Sequence, residues 1–441
     1  MSNTLLVEKK VLEQIKIIEI KNWQGRLVVL LVLIAALAFA WFSIRWQIGN
    51  LLASRPPANQ TNDRDVADVA HSLSPHDPIT NWFKANIERD TFTPQGLSNA
   101  VADLEEAVRN APEDNRYWIE LARAYEQTEN YEKAEKAFRR AVELAPNYSN
   151  VHWHLGNYYL RRAREAEALP ELRKSAETSA VYREQVFSVV WDYFEKDKGR
   201  LEQLTGDKPD MRAGLAKFYA VKELPEDSLR IWNTLSEEDK TRNQDIARLI
   251  AQALYDKRFY RSSIEFIRQL GIEPQAQAET VQNGGFESLI AAEAREAYFG
   301  WQVTKKDKID INTDPMKKKE GSKSLRVNFN GFTGVEIKNI LQIVAVEANK
   351  KYRLSFWLKT ENLKSAGTPT VEIINANDEK IITTSAAFPS GTQDWSPVAI
   401  EFTAPPSAEA VAIRFDRAYC GDACPIVGTF WVDDFKLEKI N

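Results

Sequence analysis

Two cysteines, four histidines and three methionines are all that 441 residues contain of these types. His71, His76, His152 and His154 have no cysteine or carboxylate neighbours at zinc-ligand spacing, which excludes an obvious zinc centre. The formal net charge is only -5. No basic stripe interleaved with aromatics could neutralise a row of phosphates, so nucleic acid is not an expected partner. GxSxG, HExxH and a glycine-rich phosphate loop are all missing, and neither cysteine has a histidine partner in view. A glycosidase needs only two carboxylates, and Glu372 between Val371 and Ile373 stands in outward phase on an expected strand. The pattern places no second carboxylate opposite it. No catalytic residues and no catalytic cofactor are expected, and the chain reads as a binding protein.

Hydrophobic residues at 44% and charged residues at 27% fit folded material, and the length implies several domains. Residues 27–44 form an 18-residue run in which Ser43 is the one polar member. At about 1.5 Å per residue the run spans roughly 27 Å, enough for a hydrocarbon core. Trp23, Trp41 and Trp46 flank it as interface anchors would. Lys9, Lys10, Lys16, Lys21 and Arg26 precede it, whereas Arg45 and Arg55 are the bases that follow before Thr61. That bias predicts an internal N-terminus and a translocated C-terminal body. Ala38-Phe39-Ala40 has the small-x-small form of a cleavage site, but the 26 residues before the run are long for a leader. Val11, Leu12, Ile15 and Ile18 share one face of a short amphipathic helix there. Residues 47–78 are polar and read as a spacer.

Beyond the spacer a 34-residue period emerges. Trp118, Leu121, Ala122, Tyr125, Ala134, Phe138, Ala141 and Pro146 are echoed by Leu155, Gly156, Tyr159, Ala168 and Leu172. Small residues at Ala122 and Gly156 let paired helices approach, and the large rings fill the space beside them. Ala100, Leu104, Ala107 and Pro112 supply half a repeat upstream. Leu215, Ala216, Tyr219 and Trp232, then Ile250, Ala251, Leu254 and Ile267, continue it in divergent form. Tyr182 to Leu204 is short of a full period. These residues resemble the tetratricopeptide repeat family, which implies an all-α solenoid over 79–272 whose first helices line a protein-binding groove. By that resemblance Arg123, Glu126, Trp153, Asn157 and Arg161 face the groove. Trp153 is either the anchor for a partner or a ring packed on neighbouring chain.

After Gly271 the period falls to two. Tyr352, Leu354, Phe356 and Leu358 alternate with Arg353, Ser355, Trp357 and Lys359, and several further short strands follow, predicting an antiparallel β-sandwich. Asn283-Gly284-Gly285-Phe286-Glu287, Gly300-Trp301, Gly321-Ser322-Lys323-Ser324-Leu325-Arg326-Val327, Lys351-Tyr352-Arg353-Leu354-Ser355-Phe356-Trp357 and Phe430-Trp431-Val432-Asp433-Asp434-Phe435 resemble the jelly-roll carbohydrate-binding modules. The resemblance implies a structural Ca²⁺ held by Glu287 and Asp433. Trp357 in outward phase, with Arg353 and Arg414, is the candidate glycan platform; the competing reading docks this face on the helical array. Cys420 and Cys424 flank a small loop that can close as a disulfide in an oxidising compartment.

The expected multidomain organisation is therefore a cytoplasmic segment with its amphipathic helix (1–26), one transmembrane helix (27–46), the polar spacer (47–78), tetratricopeptide-like repeats (79–272) and a jelly-roll sandwich (278–441). This architecture resembles a class of bacterial envelope proteins, which implies a scaffold anchored in the inner membrane with a cytoplasmic N-terminus and a periplasmic body, recruiting a protein through its groove in envelope polysaccharide or protein assembly or export. Glycan binding by the sandwich is the alternative, and a glycoside-active enzyme stands behind both.

Overall fold

The computed structural model describes residues 22–54, 63–288, 290, 297–421 and 423–440. The amphipathic helix expected before residue 22 lies outside the described residues. Two compact units divide the chain, one ending at Tyr182 and one beginning at Arg183.

In the first unit, helix α1 (Trp23–Ser54) runs without interruption through the apolar segment and ten residues past it. It is long and apolar enough to cross a membrane, a property that a leader shares. Helix α2 (Asp63–Leu73) follows, so the stretch expected to be a polar spacer holds the end of one helix and all of another. Small residues explain why α1 stays with the fold. Ala53, Ala67 and Ala70 bury against Phe83. A Cβ on Gly49 would lie 2.4 Å from the Ser74 hydroxyl. Polar ties complete the junction: the Ser74 hydroxyl donates to the Trp46 carbonyl (3.1 Å), Arg45 to that of Ser72 (3.0 Å) and Asn50 to Asp77 (3.1 Å).

Three helix pairs then follow: α3 (Pro78–Arg89) with α4 (Pro94–Asn110), α5 (Asn115–Gln127) with α6 (Tyr131–Leu144), and α7 (Ser149–Arg161) with α8 (Glu165–Thr178). Asp77, Thr93 and Asp114 cap helix starts with their side-chain oxygens, two of them ahead of a proline at the first turn. The ends of the first helices share one closure. Glu129 and Ala163 take positive φ, and the next N–H reaches back five residues, Asn130 to Tyr125 (2.8 Å) and Arg164 to Tyr159 (2.9 Å).

The second unit continues with α9 (Ala180–Tyr193), α10 (Lys198–Thr205), α11 (Pro209–Val221), α12 (Pro225–Trp232), α13 (Glu237–Arg242), α14 (Gln244–Asp256) and α15 (Tyr260–Gln269). The same five-residue closure recurs from Lys196 to Trp191, Leu224 to Tyr219 and Phe259 to Leu254. An N-terminal helical solenoid is thus followed by a strand-rich domain.

Among the described residues, ten strands build that domain as two antiparallel sheets. The first orders β1 (Gln302–Val303), β4 (Ile340–Ala345), β9 (Ala410–Arg417), β6 (Pro369–Asn375) and β7 (Ile381–Thr384). The second orders β2 (Ile309–Asp314), β3 (Ser324–Gly334), β10 (Pro425–Ile440), β5 (Lys351–Lys364) and β8 (Gly391–Thr403). Alternation decides what is inside: Tyr352, Leu354, Phe356 and Leu358 of β5 are buried, as are Val411, Ile413 and Phe415 of β9. Phe356 stacks at 4.5 Å on Phe435 of the neighbouring strand β10.

Two outcomes follow for the first unit. The Cβ position of Gly156 lies 2.7 Å from Leu172 Cγ, so Gly156→Val should lower stability by about 1–3 kcal/mol in urea melts. Burial pulls the His152 pKa down, but the Glu171 carboxylate and the Pro146 carbonyl outweigh it and leave the pKa raised. Its stabilisation is complete below the unfolded value of ~6.5 and fades as pH rises through the folded one. Thermal melts at pH 6 and pH 8 should differ more in the native protein than in His152→Gln.

Candidate functional site

First helices of successive pairs stand side by side, so residues one period apart meet. Trp82, Arg116 and Asn150 are such a series, and Asn86, Glu120 and His154 are another. Both line one hollow of about 650 Å³, together with Phe83, Tyr117 and, from the end of α1, Ala53 and Ser54. Burial pushes the His154 imidazole down to about 4, with Arg123 and Arg161 adding to the effect, so the ring is neutral near pH 7.

The five residues expected to face the groove sit on α5 and α7 but interact mainly with one another. Arg161 forks onto Glu126 with both bonds at 2.7 Å, and Arg123 pairs with Glu120 at 3.1 Å. Asn157 donates to the Trp153 carbonyl (2.8 Å), and the Trp153 ring lies 5.8 Å from that of Tyr182. The hollow itself takes Glu120 and His154 in their place. The signal that would have found these residues is the 34-residue step counted from Asn86 instead of from the consensus positions.

In the sandwich, Trp357 and Arg353 do share the outer face of the second sheet, in the phase the alternation predicts. Arg353 is tied to Glu401 (2.6 Å), and the Lys319 ammonium sits 4.0 Å over the Trp357 ring. Arg414 does not join them. It belongs to the first sheet, opposite Glu372 in register and bonded to it at 2.8 Å. Outward phase fixes only inside or outside, and the two sheets have separate outsides.

Within the second unit, the contact with the helices lies on the other sheet. The first sheet makes that contact, with α15 packed against β4 and the Gln302 amide reaching the Tyr255 hydroxyl (3.3 Å). Tyr255 packs edge-on against Tyr260, Tyr298 and Phe299, at 5.5, 5.2 and 5.6 Å. Arg258 pairs with Glu379 (2.5 Å), and Asn377 returns a bond to the Arg258 carbonyl (3.1 Å).

Glu287 and Asp433 both border Gly285. A Cβ on Gly285 would be 3.8 Å from one oxygen of each. Each carboxylate also fastens the loop between β2 and β3: Asp433 accepts from the N–H groups of Lys319 (2.8 Å) and Glu320 (3.0 Å), and Glu287 from that of Ser322 (2.8 Å). Burial raises the Asp433 pKa, whereas the Ser322 hydroxyl and N–H lower that of Glu287. Two hard oxygen donors suit calcium in kind, and the remaining ligands of a six- to eight-fold shell would be carbonyls or water. No group of three or more His, Cys, Asp or Glu side chains gathers among the described residues.

At the far end of the strands, Cys420 and Cys424 are joined with a Cα separation of 5.3 Å. Arg417 lashes this loop down, donating to the carbonyls of Val335 (2.8 Å) and Gly367 (2.9 Å) and to the Ser365 hydroxyl (2.8 Å).

Comparison with known proteins supports both halves. The tetratricopeptide repeat model matches residues 96–149, and the carbohydrate binding domain model matches residues 278–418. The interferon-induced protein with tetratricopeptide repeats 2 of Cricetulus griseus is 26% identical over 182 residues, covering 41% of this chain and 36% of that protein. The tRNA nuclease WapA of Bacillus subtilis strain 168 is 27% identical over 195 residues, covering 42% of this chain and 8% of that protein. The chain therefore spans about a third or less of these curated relatives. Among solved structures, MamA from Desulfovibrio magneticus RS-1 is 26% identical with a TM-score of 0.26, over 31% of this chain and 75% of that one. The CBM22-1 xylan-binding domain of Paenibacillus barcinonensis Xyn10C is 15% identical with a TM-score of 0.25, over 36% and 92%. Both matched domain kinds bind ligands and do not carry out catalysis, and the described residues hold no catalytic metal cluster. The chain joins a tetratricopeptide repeat region to a separate β-sandwich of the carbohydrate-binding type.

Proposed function

We propose that this protein is a scaffold anchored in the bacterial inner membrane by residues 27–46, with its body in the periplasm, which recruits a protein partner through the hollow of its repeats. The carrying observation is the hollow of about 650 Å³, built from two one-period series of side chains at the end of α1. It offers apolar surface from Ile79, Trp82 and Ile87 beside the polar ends of Asn86, Asn150 and Glu120, a mixture suited to a peptide or a helix with one greasy face. Arg123, Glu126, Trp153, Asn157 and Arg161 border it as proposed rim contacts, with Trp153 as the rim's one large ring. The bases that precede the span and the Cys420–Cys424 pair support a periplasmic body. Assembly or export of envelope polysaccharide or protein is the process this architecture would serve.

The second reading is glycan binding by the sandwich, favoured by the carbohydrate binding domain match over residues 278–418. Of the sequence candidates, Arg353 and Trp357 remain together on one face, while Arg414 stands on the other sheet.

A photocrosslinking amino acid at His154 or Trp153 of the full chain, in its own membrane, should give one discrete adduct with another protein. The same label at Lys136, exposed on the second helix of its pair, should give none. Equal adducts at both places, or none at the hollow, would remove the groove from the proposal.

Structural calcium at Glu287 and Asp433 makes a separate claim. Calcium at about a hundred times its Kd should add roughly 2.7 kcal/mol to sandwich stability over the same protein in chelator. Glu287→Gln should erase that difference. Identical melts of the native protein with and without the ion would dismiss the site.

A further inference from the structure

Glycan recognition rests on an aromatic ring free to lie against a sugar face, with polar groups beside it for the hydroxyls. In the sandwich both sheet faces are compromised for that purpose. The outer face of the first sheet meets α15, and its middle is closed by the Arg414–Glu372 pair, with Ile343 and Ile374 buried there as well. It presents no exposed ring among the described residues. On the second sheet the loop between β2 and β3 comes down over the outer face. Lys319 lies on Trp357, and Lys317 lies 4.3 Å over Trp431, whose indole N–H is already spent on Asp314. A cation over the ring face holds the position that a sugar would need.

Two aromatic rings of the sandwich are strongly exposed, Tyr419 at 89% and Phe332 at 61%. Both belong to the disulfide end. A cleft of about 600 Å³ opens there, lined by Glu336, Lys338, Asp416 and Tyr419 beside the two cysteines. Its size falls within the ~300–1,000 Å³ of small-molecule sites. Lys338 and Asp416 stand 3.4 Å apart across it, a donor and an acceptor side by side. Such a pair can exchange hydrogen bonds with two adjacent hydroxyls without leaving either charge alone. The backbone around it is held before any ligand arrives, by the Cys420–Cys424 bridge and by Arg417, whose guanidinium also lies 3.1 Å from Cys424 Sγ. A loop ordered in advance loses little conformational entropy on binding.

We infer that the sandwich binds a pyranose of a polysaccharide at this disulfide-clamped end, with Tyr419 as the stacking ring and Lys338 and Asp416 as the hydroxyl partners. The inference rests on the glycan reading of the domain and moves its site from the sheet face to the strand end. Chemistry favours sugar over a protein ligand here, because the one of these two rings that lines the cleft, Tyr419, stands beside a compact charge pair and so matches one sugar's face and rim.

The test uses the full chain in detergent and immobilised xylan, β-1,4-galactan, mixed-linkage β-glucan and an N-acetylglucosamine polymer. The native protein should be retained by at least one of them. Tyr419→Ala should weaken that retention tenfold or more, Tyr419→Phe should keep most of it, and Trp357→Ala should leave it unchanged. Reduction by dithiothreitol should weaken retention in the native protein, since the loop is then held by Arg417 alone. Equal retention of the native protein and Tyr419→Ala would overturn this site while leaving glycan binding in place. Loss on Trp357→Ala with Tyr419→Ala unaffected would return the site to the sheet face. A native protein retained by none of the four would overturn both the site and the glycan reading.

Discussion

Everything in the helical part depends on how closely two helices of a pair can approach. Gly156 leaves Leu172 no room for another carbon, and Ala122, Ala216 and Ala251 are fully buried at corresponding places. Close approach sets the crossing of each pair, and the crossing decides how the first helices stand beside one another. Side chains one repeat apart then face the same space. The hollow is a consequence of the small residues behind it more than of the polar residues that line it.

The sandwich depends on a different constraint, the need to cover the faces that its ten strands expose. One face is given to the last helix pair, with Tyr255 wedged among three other rings and hydrogen-bonded to Gln302. Burial pushes the Tyr255 phenol pKa well up, so the group stays a neutral donor and acceptor in that wedge. The other face is roofed by its own loop, pinned through Asp433 and Glu287. Ligand chemistry is thereby pushed toward loops and ends, where rings and charges stand in water.

Much of this was legible from residue order, for definite reasons. The repeats were visible because a fixed step places like residues in like environments, from Trp118 through Leu172. The signal dimmed after Ala180 because α10, with 8 residues where α6 and α8 have 14, shortens the step, although the five-residue hydrogen bond persists. Alternation placed Trp357 outward, but no local pattern could announce that Lys319, 38 positions earlier in the chain, would lie on it. The same alternation could not tell Arg414's sheet from Trp357's. The stretch 47–78 read as polar because its packing uses Gly49, Ala53, Ala67 and Ala70, residues too small to register as an apolar stripe. Glu287 and Asp433 were paired by resemblance alone; what the structure gives both is a hold on the loop between β2 and β3.

One continuous helix, α1, runs from the apolar run to Ser54, where it is locked to α2 and α3. A bilayer around residues 27–44 would thus carry the repeats on a mast. From Ile44 to Ala53 the rise is about 14 Å at 1.5 Å per residue. A cord of the same length would let the hollow wander over a hemisphere and meet partners at any height or heading. If residues 27–44 span a bilayer as proposed, the mast would confine it to one level close above the lipid, and a tilt of the span would swing the opening with it. Thickness and curvature of that membrane would then become inputs to the proposed binding, felt at Gly49 and Ala53 before they reach the rest of the hollow.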